Sequence, residues 1–290
     1  MAIIELHDVS KLYGFGDATA LALDEINLDV LEGEFIAIMG PSGSGKSTLM
    51  NIIGLLDRPT YGSYMLSNRS VAKLRPNQRA RIRRDKIGFV FQSYNLLPKL
   101  TVIDNVALPL AYRGVSPVRR LKLANTMLDR IGLAERQYFM PRQLSGGQAQ
   151  SVAIARALIN NPAIIIADEP TGNLDSDSSL LIMELLSEIH NMGTTILLVT
   201  HNAELTRYAT RVLFMSDGAI VHEEFTNLGE LAPSFRRSTY TLTVKTEDDD
   251  LAGVSALMKA IPAVEAPPQK RTTKQSNHWR KKTKTNRRRS

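Results

Sequence analysis

The chain has no cysteine among its 290 residues, which excludes disulfides, thiolate metal sites and cysteine nucleophiles. It also has no apolar stretch approaching the roughly 18 residues that a membrane-spanning helix needs. The start, Met1-Ala2-Ile3-Ile4-Glu5, has no basic segment leading into a signal-peptide core. Any membrane role is therefore expected to come through a partner. The stretch after Pro267 has no acidic residue, and there Lys270, Arg271, Lys274, Arg280, Lys281, Lys282, Lys284, Arg287, Arg288 and Arg289 accumulate. Those ten exceed the whole net charge of +7, so the rest of the chain is slightly acidic. Residues 267–290 read as a disordered basic tail, open to contact with anionic lipid or nucleic acid and equally to a solvated end without a role. The 43% apolar content allows a substantial core in one large domain or two modest ones.

The densest chemistry lies in Gly40-Pro41-Ser42-Gly43-Ser44-Gly45-Lys46-Ser47, followed by Thr48. This run matches G-x-x-x-x-G-K-[ST] between an apolar strand and a helix, the setting the phosphate-binding pattern requires. Glycines let backbone N–H groups close around phosphate oxygens, and the helix start adds its positive dipole end. Lys46 reaches for the β- and γ-phosphates and Ser47 for magnesium. The motif predicts a nucleoside triphosphate and Mg2+ as cofactors.

Periodicity and punctuation predict a β-rich segment from Ile3 to Val30, a strand Phe35–Met39, a helix from Ser47 to Leu56, and a basic amphipathic helix before a strand Ile87–Phe91. Residues 98–161 read as helical, including Pro117–Ile131 and Gln148–Ile159. Strands return at Ala163–Ala167, Thr195–Thr200 and Val212–Met215, with a helix Ser178–His190 among them. Such alternation argues for a parallel α/β sheet. Residues 236–265 are expected to form a small βα appendage, with Tyr240–Lys245 as its strand.

Ligands of open parallel sheets bind beyond the carboxyl ends of the strands. After successive predicted strands come the phosphate loop, Gln92, Asp168-Glu169 and His201. Asp168 is placed to bind magnesium and Glu169 to act as base for an attacking water. Two acids also end many strands with no function, and a single histidine or glutamine is commonly structural. Beside the phosphate loop, His201 is expected to orient Glu169 or the water, and Gln92 to touch the metal or water.

Leu144-Ser145-Gly146-Gly147-Gln148, followed by Val152-Ala153-Ile154-Ala155-Arg156-Ala157, resembles the signature sequence of ATP-binding cassette (ABC) ATPases. The resemblance covers residues 1–230. It implies a P-loop NTPase cassette: a RecA-like parallel sheet core, an N-terminal antiparallel β subdomain, and a helical signature subdomain at 93–161. It further implies that Tyr13 stacks on adenine, that Gln92 is the Q-loop, Asp168-Glu169 the Walker B pair, Asn173-Leu174-Asp175 the D-loop, and His201 the switch histidine. Ser145, Gly146, Gly147 and Gln148 are then nucleotide-binding residues acting on ATP held by a second cassette, most simply in a homodimer. Ala149 and Ser151 stand where many relatives carry glutamine and arginine.

Tyr94-Asn95-Leu96-Leu97-Pro98, the segment from Asn51 to Asp57 and the segment from Asp168 to Asp175 look most like cassettes serving macrolide exporters, lipoprotein-releasing systems and cell division. That likeness implies an ATP-hydrolysing transporter subunit at the cytoplasmic membrane face, held there by a separate integral membrane permease. The region from Gln92 to Leu110 is its expected docking surface, although Leu96, Leu97 and Leu100 read equally as core. A regulatory cassette of the cell-division kind, or a soluble cassette ATPase acting on nucleic acid or ribosomes, remain the alternatives.

Overall fold

The computed structural model describes residues 1–14 and 19–226; the expected 236–265 appendage and the basic tail lie outside the described residues. Two sheets organise the chain. In the first, β1 (Ala2–Tyr13) pairs antiparallel with both β2 (Ala20–Leu31) and β4 (Tyr61–Leu66), and β5 (Arg69–Ser70) closes the edge. The second runs β10-β9-β3-β8-β7-β6, built from β3 (Phe35–Met39), β6 (Ile87–Phe91), β7 (Ile164–Asp168), β8 (Thr195–Val199), β9 (Arg211–Ser216) and β10 (Ala219–Phe225). All its neighbours are parallel except the β9–β10 hairpin.

The central strands are continuous apolar runs because both their faces are covered. Alternation then divides them between two cores. Phe35, Ala37, Ile165, Ala167, Ile196 and Leu198 face the helices α3 (Val102–Tyr112), α4 (Pro117–Arg130), α5 (Gly146–Leu158) and α6 (Ser176–Asn191). Ile36, Ile38, Ile164, Ile166, Leu197 and Val199 face the antiparallel sheet and the helix α1 (Lys46–Ile53).

Three strands escaped the sequence reading: β4, β5 and β10. Their signals are the two-residue turns Ser67-Asn68 and Asp217-Gly218, in which all four residues have positive φ, the geometry that tight hairpins require. The helix α2 (Pro76–Lys86) is basic, as expected, but it is not amphipathic in the sense of burying an apolar face, since none of its residues is buried. Its sequence offers too few apolar side chains for a core stripe: Ile82 packs half-buried against the second core, and Arg83 donates to the Leu55 carbonyl. The expected docking segment divides likewise. Leu96 packs against the core and Leu97 is exposed, whereas Val102–Leu110 is helix with Val102, Ile103, Val106, Ala107 and Leu110 buried.

Candidate functional site

Parallel strand order puts the ends of β3, β8, β7 and β6 side by side along one edge. The loop from β3 to α1 closes there through left-handed glycines. A side chain on Gly40 would stand 2.2 Å from the Met215 carbonyl oxygen, and one on Gly45 2.7 Å from that of Ala22, so only glycine lets the loop press against β9 and β2. The Ser44 carbonyl accepts a hydrogen bond from the Gly218 N–H at 3.2 Å, tying the loop to the β9–β10 turn.

A cavity of about 400 Å³ opens above this loop. Gly40, Ser42, Gly43, Gly45, Lys46, Ser47, Thr48, Asp168, Glu169 and His201 line it, joined by Ala22 and Val199, which sequence reasoning did not single out. Ser44 is buried beneath the lining. The Lys46 ammonium donates to the carbonyls of Gly40 at 2.8 Å and Pro41 at 2.7 Å, with Ser44 Oγ at 3.4 Å. Its side chain is therefore held by carbonyls of its own loop.

Asp168 ends β7 inside the cavity. Burial, then the neighbouring Glu169 charge, push its pKa up, against a smaller pull from Lys46. Glu169 follows with φ of +45°, its N–H bonded to the Val199 carbonyl at 2.9 Å and its own carbonyl accepting from Gly172 at 3.0 Å. A non-glycine residue in this conformation stores strain that the surrounding bonds hold. The result is a carboxylate aimed out of the sheet edge, with Oε1 at 2.9 Å from His201 Nδ1.

The remaining predicted residues stand outside the cavity. Gln92 donates from Nε2 to Asn173 Oδ1 at 3.4 Å, while Asn173 Nδ2 donates to the Gln92 carbonyl at 3.1 Å. Tyr13 donates from its phenol to Asp57 Oδ2 at 2.9 Å. Ser145 and Gly146 line a separate recess of about 180 Å³ with Ser93, Tyr94 and Leu144. There Ser145 caps α5: its Oγ accepts from Gln148 N, and Gln148 Oε1 accepts from Ser145 N at 3.0 Å. Gln148 thus spends its carboxamide oxygen on the cap, and the N–H groups of Gly146 and Gly147, in the first turn, have no intrahelical acceptor. Asp175 caps α6 through Ser178 N at 2.9 Å and Ser178 Oγ at 2.8 Å, and these bonds hold its exposed carboxyl below the usual range.

One connecting residue went unread. Arg156 on α5 donates from Nη2 to the Tyr94 carbonyl at 2.9 Å and from Nη1 to that of Asn95. It holds two consecutive residues at φ of +60° and +48°. Two adjacent non-glycine residues of that kind leave no sequence signal beyond the Asn. Arg156 also reaches a groove of about 800 Å³ lined by Phe89, Phe91, Leu108, Pro109 and Tyr112, with Arg81, Arg83 and Arg84 from α2.

The family model described as ABC transporter matches residues 23–172. A Thermotoga maritima protein described as an uncharacterized ABC transporter ATP-binding protein is 49% identical over 218 residues, 75% of this chain and 93% of that one. The macrolide export ATP-binding/permease protein MacB of Hyphomonas neptunium is 47% identical over 236 residues, 81% of this chain but 37% of the relative, so this chain spans about a third of that protein. Among solved structures, the dimeric post-hydrolysis state of the ATP-binding cassette MJ0796 bound to ADP and Pi matches with a TM-score of 0.70 and 45% identity, covering 77% of this chain and 98% of that one. A phosphate loop, an acidic strand end and a separate Ser-Gly-Gly helix cap, together with these similarities, place the chain in the ABC transporter family as an ATP-binding cassette ATPase.

Proposed function

We propose that residues 1–230 form one cassette of an ATP-driven pair, with 93–161 as its helical subdomain, and that each ATP is hydrolysed between the phosphate loop of one copy and the Ser145-Gly146-Gly147 cap of the other. The observation that carries this reading is the separation of two anion sites. The phosphate-loop cavity holds Asp168, Glu169 and His201, yet none of the capping residues lines it. A second cassette brings the missing N–H donors, and the similar MJ0796 cassette is dimeric in its post-hydrolysis state.

Within the pair, backbone N–H groups of residues 42–48 and the Lys46 ammonium hold the phosphates. Glu169 takes a proton from water as the water oxygen attacks the γ-phosphorus and the bond to the β–γ bridging oxygen breaks. His201 fixes the rotamer of Glu169. The residues fit a magnesium ion: the Ser47 hydroxyl and Asp168 carboxylate are hard oxygen donors on one cavity, and a cation there would offset the cost of ionising the half-buried Asp168 beside Glu169. Such an ion, when bound, would supply positive charge against the phosphate oxygens. Gln92 would have to release Asn173 to reach a bound metal or the water.

The partner we assign is a membrane permease of the export kind, which keeps the cassette at the cytoplasmic membrane face. Sequence similarity to macrolide export proteins supports it, and the Phe89–Tyr112 groove with its arginine rim is its docking surface. Among the described residues no helix is long and apolar enough to cross a membrane. The test compares wild type with Glu169→Gln by size-exclusion chromatography and phosphate release. An ATP-dependent dimer that persists in the variant while turnover falls at least about 100-fold is expected; ATP binding without any dimer in either protein contradicts the paired mechanism.

A further inference from the structure

On β1, Lys11 and Tyr13 share a face because side chains alternate along a strand. The Lys11 ammonium stands 4.8 Å from the centre of the Tyr13 ring. It also lies 2.8 Å from Asp57 Oδ2 and donates to the Arg58 carbonyl at 2.9 Å. The Tyr13 phenol donates to the same Asp57 oxygen at 2.9 Å, and Asp57 Oδ1 accepts from the Arg58 N–H at 2.7 Å. Thr60 continues the seam, its Oγ1 accepting from Leu12 N at 3.0 Å and its N–H donating to Ser10 O at 2.8 Å. The ring is therefore pinned at its hydroxyl and covered by a cation on one side, while 42% of the residue stays exposed.

We propose that Lys11 and Asp57 are positioning residues for the nucleobase: they hold the Tyr13 ring so that the purine stacks on the face opposite Lys11. This rests on the assignment of Tyr13 as the base-stacking residue. A ring with an ammonium on one face keeps the other for a second π-system. Asp57 neutralises Lys11 and blocks rotation of the ring, so the platform is built before the nucleotide arrives. Neither residue touches phosphate in this scheme.

The test measures equilibrium binding of ATP and of inorganic tripolyphosphate to the full chain by calorimetry. Asp57→Ala and Lys11→Met are expected to weaken ATP about five- to tenfold, a partial loss of base–aromatic stacking, with tripolyphosphate unchanged within about twofold. Lys11→Arg, which keeps a cation over the ring, is expected to restore ATP affinity. Equal weakening of both ligands, or unchanged ATP affinity in both variants, overturns the inference. Tyr13→Ala separates it from the reading beneath. If that variant keeps the wild-type preference for ATP over tripolyphosphate, the stacking assignment itself fails. If it alone loses that preference, the stacking stands and the roles of Lys11 and Asp57 fall.

Discussion

His201 Nδ1 sits 2.9 Å from Glu169 Oε1, a contact between residues 32 positions apart that β7 and β8 deliver as neighbours. His201 is well exposed, its side chain at 68%, whereas that of Glu169 is at 24%. An exposed histidine bonded, among the described residues, to a carboxylate alone has little to do with holding the fold. His201→Ala is expected to lower kcat about 100-fold with nucleotide affinity nearly unchanged, and steady-state kinetics beside ATP titration check it. A matching loss of ATP affinity contradicts an orienting role.

Asp168 raises the opposite question, what the site costs the fold. Its pKa is pushed up by burial and then by Glu169, so the native state binds its proton more tightly than the unfolded chain does. The ionised carboxylate therefore destabilises the protein at neutral pH, and the penalty fades as pH falls through the folded pKa toward the unfolded one. Without nucleotide, Asp168→Asn is expected to melt about 1–2 °C above wild type at pH 7, a small figure because the group is only half-buried, and level with it near pH 4. Thermal unfolding at both pH values decides; a variant that melts lower at pH 7 refutes the assignment of the penalty.

Gln150 lies inside α5, fully buried, and neither its Nε2 nor its Oε1 has a hydrogen-bond partner among the described residues. A buried unpaired carboxamide costs about 1–3 kcal/mol. Gln150→Met keeps the length of the side chain and is expected to raise the melting temperature by about 2–4 °C without changing turnover. Destabilisation instead means that the carboxamide is paired in solution.

Much of this site was legible in the sequence, for identifiable reasons. Gly40–Thr48 and Asp168-Glu169 could be placed at strand ends because their neighbours, Phe35–Met39 and Ile164–Ala167, are strands buried on both faces and so written as unbroken apolar runs. The β10 strand, mostly exposed, offers no such run, and only its Asp217-Gly218 turn betrays it. Arg156 was illegible for another reason. Its acceptors are backbone carbonyls 61 and 62 residues away, and a carbonyl has no letter in a sequence. The same holds for Lys46, whose preference for the carbonyls of its own loop no motif records.

Two of the contacts that shape the phosphate loop come from far along the sequence: the Met215 carbonyl crowds Gly40, and the Gly218 N–H bonds Ser44. During synthesis, residues 40–48 thus emerge long before the strand and turn that set their curvature. The cradle is completed late, with the β9–β10 hairpin, so a nascent chain stalled before residue 211 is expected to present the complete motif and no finished cradle.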